Sequence, residues 1–339
     1  MRLTGLLLTV AGLALAAWLV ASFDTRAVFG AVEAIGAGGF ALFVAVQCAI
    51  LGLLGAAQWA VLGRPLASLP QAAWARAARE GAGDVLPFTQ VGGIVIGARV
   101  LGRSGGSPPA TYAAMMADQT AELAAQALFT LLGVGGLAVL LAGGAAPWRL
   151  IAAGLGASVG IMAAFVLAQR PMLAAAEGLA RRLLPGSEAN VAAMREHLTQ
   201  IYTRRGRLAL SFALHLAAWA ASAAASWLAL RLMGVGVDVG PVLVIESLIF
   251  ALRSAAFFVP SGLGVQEGAY ALLGPLLGLD PALALALSLV KRARDYAVGV
   301  PMLLIWQAAE GRRLFRRKTV ASGMTTVLDG PEPKGTIQP

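Results

Sequence analysis

A single cysteine, Cys48, stands in 339 residues, so neither an intrachain disulfide nor a zinc cluster is possible. It falls inside an apolar run and reads as a small buried packing residue. Histidine is almost as scarce: His197 and His215 have no second histidine or cysteine near them in sequence, and both read as structural. Charged residues are 13% of the chain against 58% hydrophobic, with mean hydropathy +0.77. That balance excludes a soluble globular domain. P-loop, RRM and zinc-finger patterns are missing, and so are HExxH, GxSxG and GxGD. Nucleic-acid binding is therefore not expected, nor an ATP-driven pump, nor zinc, serine or intramembrane aspartyl proteolysis. No cofactor or metal is expected, and the chain does not read as an enzyme.

The chain is rich instead in apolar runs long enough to cross a bilayer, which takes about 20 residues per helix. Six crossing helices are expected, over residues 6–23, 40–62, 113–141, 150–167, 208–232 and 281–308. The first has a short basic start, as a signal peptide would, but its length and the later spans favour an uncleaved anchor. The net charge of +9 sits in two places: between apolar runs (Arg181, Arg182, Arg195, Arg204, Arg205, Arg207) and after the last one (Arg312, Arg313, Arg316, Arg317, Lys318). Arginine-rich loops stay in the cytosol, so 170–207 and the C-terminal tail are both placed there, and alternation puts the N-terminus there too. Several of the seven tryptophans (Trp18, Trp59, Trp148, Trp306) fall near the expected interfaces.

Two stretches are too broken to be ordinary spans. Residues 65–101 and 241–277 each have an apolar arm, a break centred on Pro87 or Pro260, and a second arm studded with glycine. Irregular backbone at membrane depth persists only where protein or a water-filled cavity covers it, so each reads as a hairpin of half-helices; a pair of tilted spans is the alternative. A shift of about 173 residues superposes the two stretches, together with the charged span after each. Asp118 and Lys291 both stand 31 residues after their proline, and Glu122 and Asp295 both stand 35 after it. Because loop charge gives spans 40–62 and 208–232 opposite directions, the halves are expected to be inverted, one hairpin entering from each face. The fold expected is an all-α polytopic bundle of about six full spans plus two re-entrant hairpins. Residues 1–318 form one membrane domain, with halves at about 37–145 and 208–318. They are joined by 146–207, whose stretch 170–207 is a basic amphipathic cytosolic segment, with an amphipathic helix over 187–200. Residues 319–339 form a disordered tail.

Asp118, Glu122 and Gln126 share one helix face. A charge at the bilayer centre costs about 2.5–3.5 kcal/mol on insertion scales, so such groups should face the interior or snorkel to an end. Lys291, Arg292, Arg294 and Asp295 have about ten apolar residues on either side, which argues against snorkelling. Lys291 and Asp295 stand at i, i+4 and can pair; the arginines need acids, and Asp118, Glu122, Glu246 and Glu267 are available. Around the breaks, Arg253 precedes Pro260 and Glu267 comes after it, while Arg99 comes after Gly92-Gly93. Half-helix ends carry partial charge and open backbone groups able to hold an ion or phosphate. The candidate substrate-binding set is Pro87, Gly92, Gly93, Arg99, Asp118, Glu122, Arg253, Pro260, Gly264, Glu267, Lys291, Arg292 and Asp295.

VPSGLGVQEGAY followed by SLVKRARDY, and LPFTQVGGIVIGAR followed by DQTAE, resemble the lysylphosphatidylglycerol-synthase transmembrane (flippase-like) family. The branch most similar is the hopanoid-biosynthesis-associated (HpnL-type) membrane proteins, over roughly residues 1–315. The resemblance implies a bacterial inner-membrane protein that handles a lipid, with Glu267 and the Lys291-Arg292 pair at family-typical positions. Synthase activity is not expected, since only the short tail 319–339 stands where synthases carry a soluble transferase domain. The partners implied are membrane lipids, through a polar headgroup or a hopanoid, and hopanoid-biosynthesis proteins. Two other functions fit the residues: an ion-coupled transporter of a small solute, which inverted repeats also serve, and a lipid-modifying intramembrane enzyme.

Overall fold

The chain is described by a computed structural model covering residues 25–64, 66–85, 89–102, 107–141, 188–256, 262–276 and 278–328, with 167 and 259. The expected spans 6–23 and 150–167, the prolines Pro87 and Pro260, and most of the basic segment before Glu188 lie outside the described residues, residue 167 alone excepted. Among the described residues ten helices run in order: α1 (Thr25–Ala34), α2 (Gly36–Leu62), α3 (Leu69–Val85), α4 (Thr89–Leu101), α5 (Pro108–Leu141), α6 (Glu188–Thr203), α7 (Arg205–Leu232), α8 (Val239–Ala255), α9 (Val265–Leu276) and α10 (Pro281–Leu328). No strand occurs among the described residues.

Local chemistry sets the boundaries. Gly63, at φ 73°, turns the chain out of α2 while its N–H still bonds Trp59 O at 2.8 Å. α7 closes through Gly234 at φ 83°, whose N–H reaches Arg231 O while Val235 N–H reaches back to Leu230 O. This paired closure needs a left-handed residue, which glycine adopts without strain. α10 starts at Pro281, behind Asp280, whose Oδ1 accepts from the N–H groups of Ala282 (2.9 Å) and Leu283 (3.2 Å).

Three of the described helices are long and apolar enough to cross a membrane: Gly36–Leu62, Pro108–Leu140 and Arg205–Leu232. They coincide with three expected spans. A fourth expected span, 281–308, lies within the longer α10, which passes Pro301 without ending and continues beyond the expected tail boundary to Leu328. Both broken stretches are pairs of helices that fold back on each other, α3 against α4 and α8 against α9. The first arm of the first hairpin is not the apolar segment expected, since α3 carries Arg76, Arg79, Glu80 and Asp84, whereas α8 is apolar apart from Glu246 and Arg253. Cys48 is another difference, exposed on α2 because that position faces away from the bundle.

α2 packs along α7, and each also packs on the first arm of the hairpin next in sequence, α3 or α8. α5 packs on α8 and α7, α10 on α3 and α2, and α6 on α5. Small residues permit the closest crossings. Gly81 of α3 meets Gly299 of α10, and a Cβ on Gly81 would stand 3.1 Å from the Gly299 backbone. On α5, a Cβ at Gly133 or Gly136 would collide with Ser247 or Val244 of α8.

Candidate functional site

The hairpin arms, α2, α5, α7 and α10 surround a cavity of about 350 Å³. Four cations reach its wall (Arg76, Arg253, Lys291, Arg294), with four carboxylates (Glu80, Asp84, Glu122, Asp295). The rest of the wall is largely apolar, with Ile50, Leu51 and Leu54 from α2, Leu123 from α5, Trp219 from α7 and Phe250 from α8.

The first half contributes a fused network. Arg76, fully buried on α3, grips both oxygens of Glu122, through Nη1 at 2.9 Å and Nη2 at 2.5 Å. Its Nε stands 2.9 Å from Glu80, one turn on, and its Nη1 lies 3.6 Å from Asp118 Oδ2. Arg79 Nη2 reaches Glu122 at 3.2 Å and Gln119 at 2.6 Å. Asp118 meets His215 Nε2 of α7 through Oδ1 at 2.9 Å. A two-pronged guanidinium–carboxylate grip is the geometry in which a buried ion pair best offsets its desolvation. Gly93, from the candidate set, makes room for it: its Cβ would stand 2.5 Å from Arg79 O, so α4 lies against α3 only because no side chain is there. Gly92 lies beside it in α4.

The second half divides its charge into separate pairs. Lys291 donates to Glu246 and, at 2.7 Å, to the Tyr270 hydroxyl, which in turn donates to Glu246. The Lys291 ammonium also sits 5.4 Å over the Phe250 ring. Arg292 donates to Glu267 Oε1 at 2.8 Å and to Gly262 O at 3.4 Å, and Glu267 Oε2 accepts from the N–H of Gly264 at 2.8 Å. Gly262 and Gly264 adopt φ of 58° and 76°. The two glycines, Glu267 and Arg292 thus tie the break of the second hairpin to α10. Arg294 pairs with its neighbour Asp295 at 2.7 Å and lies over the Phe43 ring at 4.8 Å.

One pair crosses between the hairpins. Arg253, at the end of α8, stands 3.6 Å from Asp84, at the end of α3, and donates to Gln266 at 2.9 Å. Both charges of this cross-hairpin pair are only partly buried.

Of the expected site residues, Glu122, Arg253, Lys291 and Asp295 line the cavity, Asp118 lies behind it, and Glu267, Arg292 and Gly264 brace the second hairpin. Three expectations change. Arg99 is exposed at the end of α4, away from the cavity, because α4 presents Gly93 and Gly97 to α3 instead. Lys291 pairs with Glu246 rather than Asp295, since α8 brings an acid to it while Arg294 occupies Asp295. His215 is not isolated: α5, distant in sequence, delivers Asp118 to it. Arg76, Arg79, Glu80 and Asp84 escaped sequence reading, although WARAARE places three charges on one face of a helix within a stretch already read as membrane-buried.

Asp118, Glu122 and His215 present donors within 4.8 Å of one another, as a metal site would. Arg76 and Arg79 already hold both carboxylates and put two positive charges where a cation would need to sit. The donor set therefore does not fit a metal ion.

Long apolar helices, paired hairpins and charges buried around an internal cavity define a polytopic helical membrane protein. The chain belongs to the family described as the lysylphosphatidylglycerol synthase TM region, whose model matches residues 3–302, and its setting is thus a membrane protein of lipid-related function. No curated relative and no solved structure matches it.

Proposed function

We propose that this protein moves a polar-headed lipid between the leaflets of the bacterial inner membrane, in a flippase-like manner, without chemical change to the lipid and with both termini in the cytosol. The observation that carries this reading is the composition of the cavity. Four cations and four carboxylates face a wall of Ile50, Leu51, Leu54, Leu123 and Phe250. A headgroup with both signs of charge finds partners there, while a chain beginning at that headgroup meets apolar surface. A hopanoid or related lipid with a polar end is the substrate class proposed.

Packing supports a transport architecture. A shift of 173 carries α2 to α7, α3–α4 to α8–α9 and α5 to α10, and each packing pair then has its mate: α2–α3 with α7–α8, α5–α8 with α10–α3, α5–α7 with α10–α2. The crossing of Gly81 with Gly299 maps onto Ser254 and Gln126, which bond each other. Combined with the loop charges, this favours an inverted repeat with re-entrant hairpins meeting at the Asp84–Arg253 pair, around a site near the midplane.

The test is reconstitution into vesicles containing headgroup-labelled phospholipid or hopanoid, with leaflet distribution read by quenching from outside. Translocation by the wild type and its loss in Arg253→Ala is the expected result; no movement of any of these lipids sinks the proposal. The small volume and balanced charge also suit a zwitterionic solute. Uptake of labelled amino acids by the same vesicles, with no lipid movement, would transfer the assignment to a solute transporter.

A further inference from the structure

A seam of buried polar groups continues past the cavity toward the arginine-rich end of α7. On α7, Ser211, His215, Ala218 and Ser222 stand at i, i+4, i+7 and i+11 and share one face. Ala218 and Ser222 line the cavity, whereas Ser211 and His215 are fully buried beyond it. On α2, Gln47, Leu51, Leu54 and Gln58 have the same spacing; the first three line the cavity and Gln58 is fully buried. The two helices run antiparallel, with Gly39 against Leu232 near one end and Leu62 in the same apolar cluster as Leu208 near the other. Gln58 lies 19 residues on from Gly39, and 19 back from Leu232 is Ala213, between Ser211 and His215. Gln58 therefore stands level with both.

At this level Gln58 Oε1 and Nε2, Ser211 Oγ and His215 Nδ1 have no hydrogen-bond partner among the described residues. Buried polar atoms are ordinarily satisfied, and water satisfies them where protein does not. Several at one level, on the facing stripes of two helices, call for a file of water molecules. The file ends at the ring of a histidine whose other nitrogen is held by a buried carboxylate.

Charge reaches His215 from α5 and α3. α5 supplies Asp118 at 2.9 Å, with Glu122 one turn away. α3 supplies Arg76 and Arg79, at 3.6 and 3.7 Å from Asp118 Oδ2. α2 carries no Asp, Glu, Lys, Arg or His at all. On α8 and α10, Glu246 is engaged by Lys291, Arg253 by Asp84 and Gln266, and Arg294 by Asp295.

We propose that His215 and Asp118 form a proton-binding dyad, reached by water held at Gln58 and Ser211, and that its loading sets the charge the cavity offers to substrate. A proton from the water file bonds to Nδ1 of neutral His215, and the Nε2 proton passes to Asp118 Oδ1. The ring is then neutral with its proton on Nδ1, and Asp118 is a carboxyl whose O–H donates to Nε2. The dyad has gained one proton and lost one negative charge. Arg76 and Arg79 are left with one counter-anion fewer, and Arg76 faces the cavity. Loading therefore favours an anionic group there, and by reciprocity an anionic group favours loading. This coupling rests on the cavity being the substrate site; the proton site itself does not.

The chain has two histidines, so nanodisc-embedded protein labelled with ¹⁵N-histidine gives two ring signals, assigned with His197→Gln. The His215 signal is expected to track bulk pH, and its ring N–H to exchange with solvent despite full burial. Gln58→Leu should slow that exchange about tenfold, the effect of one lost hydrogen bond on a barrier; the less invasive Ser211→Ala should slow it in the same direction. A His215 signal indifferent to pH in the wild type, or exchange unchanged in both variants, overturns the inference. A second arm uses vesicles of phosphatidylglycerol with a fluorescent headgroup analogue under an imposed pH gradient. Lipid movement whose rate ignores the gradient, with a silent His215, overturns the proton dyad and leaves lipid transport standing. No movement of this analogue or of the labelled phospholipid and hopanoid above, with His215 exchanging through the file, upholds the dyad and overturns lipid transport.

Discussion

The two halves of the bundle bury their charge differently. In the first, Arg76 and Arg79 of one hairpin arm gather Glu80, Asp118 and Glu122 into a single network that ends on His215. In the second, Lys291, Arg292 and Arg294 each hold a separate acid, in Glu246, Glu267 and Asp295. Asp118 and Lys291 occupy corresponding positions with opposite charge, and the reason lies in the arms they face. α3 presents arginines to Asp118 and α8 presents a glutamate to Lys291, so the exchange on the span is matched by an exchange on the arm. Each half is locally balanced, and the exchange alone leaves neither Asp118 nor Lys291 unpaired for a substrate. The partly buried pair between the hairpins, Asp84 with Arg253, contains the most exposed cation of the cavity wall.

The comparison breaks most severely at Arg76. Arg76→Ala leaves Glu122 and Asp118 buried with much of their counter-charge gone. Removing one partner of a buried ion pair costs about 3–5 kcal/mol, and this arginine serves three acids, so the upper end applies. The expected outcome is a large loss of folded protein in detergent, measured by thermal aggregation. Arg76→Lys should recover only part, since an ammonium cannot hold both oxygens of Glu122. A stable Arg76→Ala protein would mean that the first-half network is not what holds α3 to α5.

The second half should be easier to repair. Lys291→Met strands Glu246 at a cost of about 3 kcal/mol. Adding Glu246→Gln removes the stranded charge and leaves a group that still bonds Tyr270, so the double variant should regain more than half of the lost stability. No such simple rescue is expected for Arg76, whose acids are on two helices. Equal rescue in both halves would erase the distinction between a network and a set of pairs.

Much of this was legible in the sequence because the repeat and the charges lie in the same short motifs. Spans 40–62, 113–141 and 208–232, both broken stretches and the burial of Lys291 and Asp295 result from apolar length, Pro/Gly punctuation and the cost of charge in lipid. The part that escaped is pairing across distance. Asp118 meets His215, and Arg76 meets Glu122, only once helices far apart in the chain are packed, and no local spacing encodes that. Arg99 shows the converse: a cation after a glycine pair fits an anion site locally, but in the structure Gly93 packs on α3 and Arg99 is exposed at the end of α4. The inverted relation proposed for the halves rests on loop charge as well as on the packing mates.

Glycine packing gives a smaller test. Gly93→Ala brings a Cβ within 2.5 Å of Arg79 O, a backbone atom that cannot swing away. Overpacking of this kind costs about 1–3 kcal/mol. Gly52→Ala, with nothing within 4 Å, should stay within about 1 kcal/mol of wild type in the same assay. Because Gly93 presses on the residue that holds Glu122 and Gln119, its substitution should also weaken Arg76→Lys further than additivity allows, whereas Gly52→Ala should add independently.

The smallest effect on stability is expected where the effect on function is greatest. Arg253 and Asp84 are partly exposed and 3.6 Å apart, so their attraction is largely screened and worth less than about 1 kcal/mol. Arg253→Ala should therefore leave the melting temperature nearly unchanged, because Gln266 keeps its bonds to Ser288 at 3.1 and 3.2 Å. Transport in vesicles should nevertheless fall, since the most accessible cation of the cavity is gone. Asp84→Asn, which keeps the shape and removes only the charge, should be equally stable and should shift preference toward anionic headgroups. If Arg253→Ala melts as early as Lys291→Met, this pair is part of the buried framework and the substrate must be met elsewhere on the wall.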